Sequence, residues 1–288
     1  RMTTGADAGK GGLPADLKVR AASGAVLIAI AVAELYLGGT YFVVFIGLLA
    51  CGMIWEALNL TGVRGKHRRM IATGLTGLAF LSLMPALPNG GFPVWVALCL
   101  MSGTLIFAWS AATRKRAFPF GMVAAASVCI GCLVIVLAEL RSEFYTIPPL
   151  ILLVPAVIGT DIGAYFVGRA LGGPKLAPRV SPNKTWSGAI GGVLVAVAAG
   201  MATVWTFRQN GLQAPLLDTL VMLTILSICS QIGDLIESWL KRRAGQKDSG
   251  RLIPGHGGLL DRFDGFMGAA VLGLGPWLLL HETGAIGG

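Results

Sequence analysis

The chain has 288 residues, of which 55% are hydrophobic and only 13% charged. A water-soluble domain carries roughly 25% charged residues, so a surface facing mostly water is excluded, and stretches of lipid-spanning length make this an all-α integral membrane protein. The net charge of +9 would suggest nucleic acid in a soluble protein. Here it fits basic loops that orient a membrane protein and attract anionic headgroups, so no nucleic-acid partner is expected.

The run to about Asp16 is rich in Gly, Ala, Asp and Lys and reads as a flexible tail, with residues 1–20 set apart from the bundle. Nine spans follow. The first covers about Ala21–Leu37 and lacks a convincing small-residue cleavage site, so it is expected to be retained. The second covers Thr40–Leu60, the third Met70–Leu87, the fourth Phe92–Ala111 and the fifth Phe118–Leu140. The sixth covers Ile147–Leu171, the seventh Trp186–Phe207, the eighth Pro215–Leu240 and the ninth Phe263–Leu280. With a cytoplasmic N-terminus, 21 of the 23 Lys and Arg fall on the cytoplasmic side and only Arg141 and Arg208 do not. That asymmetry orients the bundle and favours an odd number of spans. The five cysteines all lie in apolar stretches. Cys129 and Cys132 are spaced C-x-x-C without a second pair, so neither a disulfide nor a zinc site is expected.

Residues 21–140 read as a scaffold of five spans, and residues 141–288 as a catalytic region of four. The second region holds acids inside lipid-length segments, which face a cavity or a partner by default. Asp161 lies in the sixth span. In the eighth, Ser230, Asp234, Glu237 or Ser238, and Lys241 recur at helical spacing and form one polar stripe running toward the cytoplasm. Glu34 and Glu56, near membrane edges, read as structural or interfacial.

Two cytoplasmic segments mix charge with Gly, Pro and Ser. The first, SPNKTWSG, runs from Ser181 to Gly188. Pro182 predicts a turn there. Lys184, the hydroxyls of Ser181 and Thr185, and a following helix N-terminus make a phosphate site plausible. The second runs from Ser238 to Gly265 and places Lys241, Arg242, Arg243, Lys247 and Arg251 ahead of Asp261, Arg262 and Asp264, with Asp248 and His256 between. Its glycines, Gly255, Gly257 and Gly258, allow close backbone approach to a ligand. Cations and glycine-rich backbone hold phosphate oxygens while carboxylates hold Mg²⁺, so the set fits a metal–polyphosphate substrate. A simple solvated basic face would gain nothing from Asp261 and Asp264.

The stretch from Ser238 to Asp264 resembles the signature of the phosphatidate cytidylyltransferases, also called CDP-diacylglycerol synthases. The likeness lies in Ser238, Lys241-Arg242, Lys247-Asp248, Pro254, His256-Gly257-Gly258 and Asp261-Arg262-Phe263-Asp264. SPNKTWSG resembles the family's SPKKTWEG-type motif and departs from it at Asn183 and Ser187. The resemblance implies a multi-span, dimeric enzyme of phospholipid synthesis in a bacterial inner membrane. It implies metal ligands at Asp234 and Asp261 holding Mg²⁺, as one or two cations.

The expected reaction joins the cytidylyl group of CTP to phosphatidic acid at the cytoplasmic face. The attacking phosphate is already ionised, so charge neutralisation and in-line positioning matter more than a general base. Lys184, Lys241, Arg242 and Lys247 would hold phosphates, with Ser181, Thr185, Ser238 and His256 as further binding groups. Arg262 would stabilise charge on the leaving pyrophosphate. Asp248 and Asp264 would ligate or orient, and Asp161 would complete the site. A CTP-dependent lipid-alcohol kinase is the nearest rival and would release CDP instead of pyrophosphate. A transporter using Asp161 and Asp234 as ion sites is disfavoured, because the two halves do not repeat.

Overall fold

The computed structural model describes residues 39–60, 149–209, 212, 214–250, 252–253 and 257–282, together with helical positions Val26, Ala29 and Ala33. The expected third, fourth and fifth spans lie outside the described residues, as does most of the first. What is described is mostly helical: α1 (Gly39–Leu60), α2 (Pro149–Leu171), a hairpin of β1 (Lys175–Ala177) and β2 (Ser181–Thr185), α3 (Trp186–Arg208), α4 (Leu216–Arg243), α5 (Leu260–Gly268), a π-helical segment (Ala269–Leu274) and α6 (Gly275–Glu282). Among them, three helical stretches are long and apolar enough to cross a membrane, Ile151–Leu171, Trp186–Arg208 and Leu216–Arg243. They coincide with the expected sixth, seventh and eighth spans.

Helices α2 and α3 pair through small residues. A side-chain carbon on Gly159 would sit 2.8 Å from the Ala196 Cα, one on Gly163 2.6 Å from the Gly191 carbonyl, and one on Gly188 2.8 Å from the Ala164 carbonyl. The two backbones therefore touch directly, which is how helices gain dispersion contact where lipid removes the hydrophobic drive. Pro155 sits inside α2, where its ring cannot donate to the preceding turn. Farther along α2, Thr160 donates to the Ala156 carbonyl (2.6 Å) and shares a hydrogen bond with Ser227 of α4 (2.6 Å), both residues being buried.

Helix α4 is the longest, and its last turn carries Lys241, Arg242 and Arg243, which complement the negative end of the helix dipole. It meets α5 at another glycine contact: a carbon on Gly233 would lie 2.6 Å from both the Asp264 carbonyl and the Gly268 Cα. Met53, Ile54 and Ala57 of α1 join Leu259, Leu260 and Ala270 in the same buried apolar cluster, together with Leu153, Leu223 and Leu226.

Three local expectations need correction. SPNKTWSG is not an open turn: Ser181–Thr185 is a strand paired antiparallel with β1, with Lys175 opposite Thr185 and Ala177 opposite Ser181. In a two-stranded hairpin every strand is an edge, so Pro182 can sit within β2 without removing a ladder bond on both sides. The Ser238–Gly265 segment is not loop throughout: both its ends are helical, because α4 runs through Arg243 and α5 begins at Leu260, leaving the loop proper between them. The helix leading into the expected ninth span starts earlier, at Leu260, and is interrupted by the π-helical segment rather than running as one α-helix.

Candidate active site

The polar stripe on α4 forms as its spacing predicts, and Asp234, Glu237, Ser238 and Lys241 each have an identifiable partner. Asp234 is ion-paired with Lys184 at the end of β2 and accepts a hydrogen bond from Ser238, one turn on, at 3.3 Å. Another turn on, Lys241 pairs with Glu237 and with Asp261 of α5, the latter at 2.8 Å. Glu237 is buried, and an unpaired charge there would be costly. Lys241, expected to hold phosphate, is thus paired with two carboxylates.

Asp261 is in the first turn of α5, not in a loop. Its carboxylate accepts from the Ser249 backbone amide (3.1 and 3.0 Å) and the Gly258 amide (3.0 Å) as well as from Lys241. Burial pushes this carboxyl up, but the Lys241 ammonium and the amide donors outweigh burial and hold it below its ordinary value of 3.8. It is therefore an anion at neutral pH.

A third acid joins from α2. Asp161 lies within the electrostatic reach of Asp234, Lys184 and Arg262, while Asp264 lies within reach of Asp234, Asp161 and Lys241. Carboxylates of α2, α4 and α5 thus converge at the end of the bundle that carries the hairpin. Beside them lies a cavity of about 630 Å³, lined among others by Asp161, Asp234, Lys184, Arg169, Lys175 and Gln231. Its size is within the usual range for ligand pockets, roughly 300–1,000 Å³. Its lining combines anions with three cations from α2, β1 and β2. Among the described residues no three metal-ligating side chains are grouped as a ready-made metal cage. Mg²⁺ commonly takes one or two carboxylates and completes its shell with water and substrate phosphates. Asp234 and Asp261 are hard oxygen donors, each ion-paired with a lysine, so an ion that arrives with its substrate would share or displace those lysines.

With these positions in view, the comparison with known proteins decides the class. The sequence profile described as the Cytidylyltransferase family matches residues 18–274. The chain belongs to the cytidylyltransferase family. Curated relatives named phosphatidate cytidylyltransferase include one from Brucella suis biovar 1 (strain 1330), 41% identical over 89% of this chain and 92% of the relative. Others are from Bacillus subtilis (strain 168), 31% identical over 88% and 94%, and Staphylococcus haemolyticus (strain JCSC1435), 34% identical over 87% and 95%.

Within this family member the remaining expected site residues separate. Thr185 lines the cavity, but its hydroxyl caps α3 by accepting from the Gly188 amide (3.1 Å) and lies 3.0 Å from the Ser187 hydroxyl. Ser187, given no role from sequence, donates to the Gly172 carbonyl and ties the start of α3 to the end of α2. Arg242, expected to hold phosphate, reaches the Val180 carbonyl (3.4 Å) and the Gln246 carbonyl (3.3 Å) and so fastens the hairpin to α4. Ser181 lies half-buried in β2, while Lys247 and Asp248 are exposed in the loop and Arg262 is exposed on α5. His256 lies outside the described residues.

Arg169, Lys175 and Gln231 line the cavity but did not stand out in the sequence, since a basic loop residue and a lone glutamine carry no pattern of their own. Glu56, expected to be structural or interfacial, is 1% exposed and structural: it accepts from the Ser249 hydroxyl (3.2 Å) and the Leu260 amide (2.9 Å). A carbon on Gly258 would meet Glu56 Oε2 at 2.7 Å. Gly258 thus permits the close approach of this carboxylate.

Proposed function

We propose that this chain transfers the cytidylyl group of CTP to phosphatidic acid, giving CDP-diacylglycerol and pyrophosphate. The observation that carries this reading is the convergence of Asp161, Asp234 and Asp264 with Lys184 beside a cavity, in a member of a family whose relatives are named for that reaction. A phosphate oxygen of phosphatidic acid attacks the α-phosphorus of CTP, the bond to the β-phosphate breaks, and pyrophosphate leaves with the electron pair. Lys184, Arg169 and Lys175 supply positive charge along the cavity wall and hold phosphates in line. Arg262 faces the acidic cluster and offers charge to the leaving group. Asp234 and Asp261 would hold one or two Mg²⁺ ions, which when bound neutralise phosphate charge and orient the reacting groups.

The membrane arrangement belongs to the same proposal. Nine spans with a cytoplasmic N-terminus place all but two of the lysines and arginines inside, next to the site. Residues 21–140 serve as scaffold and 141–288 as the catalytic region. An inner-membrane site facing the cytoplasm lets the acyl chains stay in lipid while CTP arrives from water. A homodimer follows from the family resemblance alone.

The test is incubation of purified protein with labelled CTP and phosphatidic acid, with both products identified. CDP-diacylglycerol and pyrophosphate in equal amounts are expected. CDP with a newly phosphorylated lipid would replace this reading with the kinase. Excess chelator should stop the reaction and Mg²⁺ should restore it, whereas activity in chelator would remove the metal from the mechanism.

A further inference from the structure

Asp261 and Glu56 grip the same short piece of chain from opposite sides. Asp261 accepts from the backbone amides of Ser249 and Gly258. Glu56 accepts from the Ser249 hydroxyl and the Leu260 amide. Leu260 is the first residue of α5, where amides have no partner within the helix. Among its described residues the segment between carries an isolated bridge between Ile253 and Gly257 (3.1 Å) and no helix. The two carboxylates hold its two ends. Gly250 and Gly258 both press on the Glu56 side chain, which leaves no room for a side chain at either position. Glu56 is also the one acid of α1, on the scaffold side of the chain, and is 193 and 204 residues from its two donors.

We propose that Glu56 is a positioning residue of the reaction: from α1 it clamps Ser249 and the start of α5, and so holds Asp261 in register with Lys241 and the acids of α2 and α4. This deepens the cytidylyltransferase reading and rests on it. Glu56 touches neither substrate nor the reacting atoms. Its effect passes through the Asp261 carboxylate, which has to be placed to within a fraction of an ångström to act on a phosphate.

The test uses the full-length protein in lipid nanodiscs with three variants. Glu56→Met fills a similar volume without an acceptor. Glu56→Gln keeps a carbonyl oxygen that can accept from both donors. Ser249→Ala removes one donor and leaves the Ser249 backbone contact with Asp261 intact. Hydrogen exchange of residues 249–262, read by mass spectrometry without substrate, reports on the clamp. Steady-state assays with CTP and phosphatidic acid report on the chemistry.

Glu56→Met should speed exchange in that segment, lower kcat by about 10- to 100-fold with a smaller change in KM for CTP, and raise the Mg²⁺ concentration giving half-maximal rate. Ser249→Ala should shift the same readouts in the same direction by less. Glu56→Gln should restore both exchange protection and kcat to near wild type. Wild-type exchange in Glu56→Met, or faster exchange with kcat unchanged, would overturn the proposal. If Glu56→Met does not fold, Ser249→Ala alone decides, and wild-type exchange and kcat there would overturn it equally. Failure of the transferase reading is seen separately, as a wild-type protein that makes no CDP-diacylglycerol.

Discussion

Where α2 crosses α3, the contact is backbone against backbone, with Gly159, Gly163, Gly188 and Gly191 letting the helices touch. Where α5 meets α4 and α1, a glycine contact at Gly233 and Gly268 accompanies Glu237, Lys241, Asp261 and Glu56, all engaged in ion pairs or hydrogen bonds. The first seam is apolar and sets only a distance. The second carries charges whose desolvation is offset by mutual pairing, and such arrangements are weak sources of stability. The difference teaches that the two seams have separate duties. The glycine seam brings α2 and α3 together where Gly188 lines the cavity, and the charged seam fixes the start of α5 against α4.

Substitutions can break that contrast. Asp261→Asn should have the largest effect on activity, a loss of about 100-fold or more, while the protein still inserts and elutes as the wild type does by size exclusion. Normal turnover would separate Asp261 from the site. Gly163→Ala should act on the other seam, since its new carbon meets the Gly191 carbonyl at 2.6 Å. A cost of about 1–3 kcal/mol is expected, seen as a lower melting temperature in detergent with an unchanged KM for CTP. An unchanged melting temperature would show that the α2–α3 contact can relax.

Smaller effects sharpen the comparison where the seams adjoin. Lys184→Ala removes the partner of Asp234 and a cation of the cavity wall. It should raise the CTP concentration for half-maximal rate by about tenfold, the scale of one charge-assisted hydrogen bond, and an unaltered CTP response would take Lys184 off the nucleotide. Thr185→Ala removes the cap of α3 and the contact with the Ser187 hydroxyl. It should cost about 1 kcal/mol of stability, recovered in Thr185→Ser, with little change in KM. A large KM effect would show that the hydroxyl serves substrate as well as the helix.

The α4 stripe was legible because a helix repeats every three to four residues, so Asp234, Ser238 and Lys241 had to share a face. The hairpin was not, because SPNKT has poor strand propensity and pairs only through its contact with β1. The helical setting of Asp261 was hidden by the glycines and charges before it, which look like loop. Glu56 carried no local signal at all: a single acid near the end of an apolar run says nothing about residues 193 positions away.

Composition, span length and the spacing of acids on α4 were enough to fix a helical membrane protein and the register of its polar stripe, and the family came from the resemblance of its C-terminal motif. These depend on neighbours within a few turns, which the order of residues specifies directly. Which cation neutralises which carboxylate, and that α1 reaches the start of α5, were decided only by the packed bundle. Such pairings depend on the distance between segments far apart in the chain, and only the tertiary structure sets that distance.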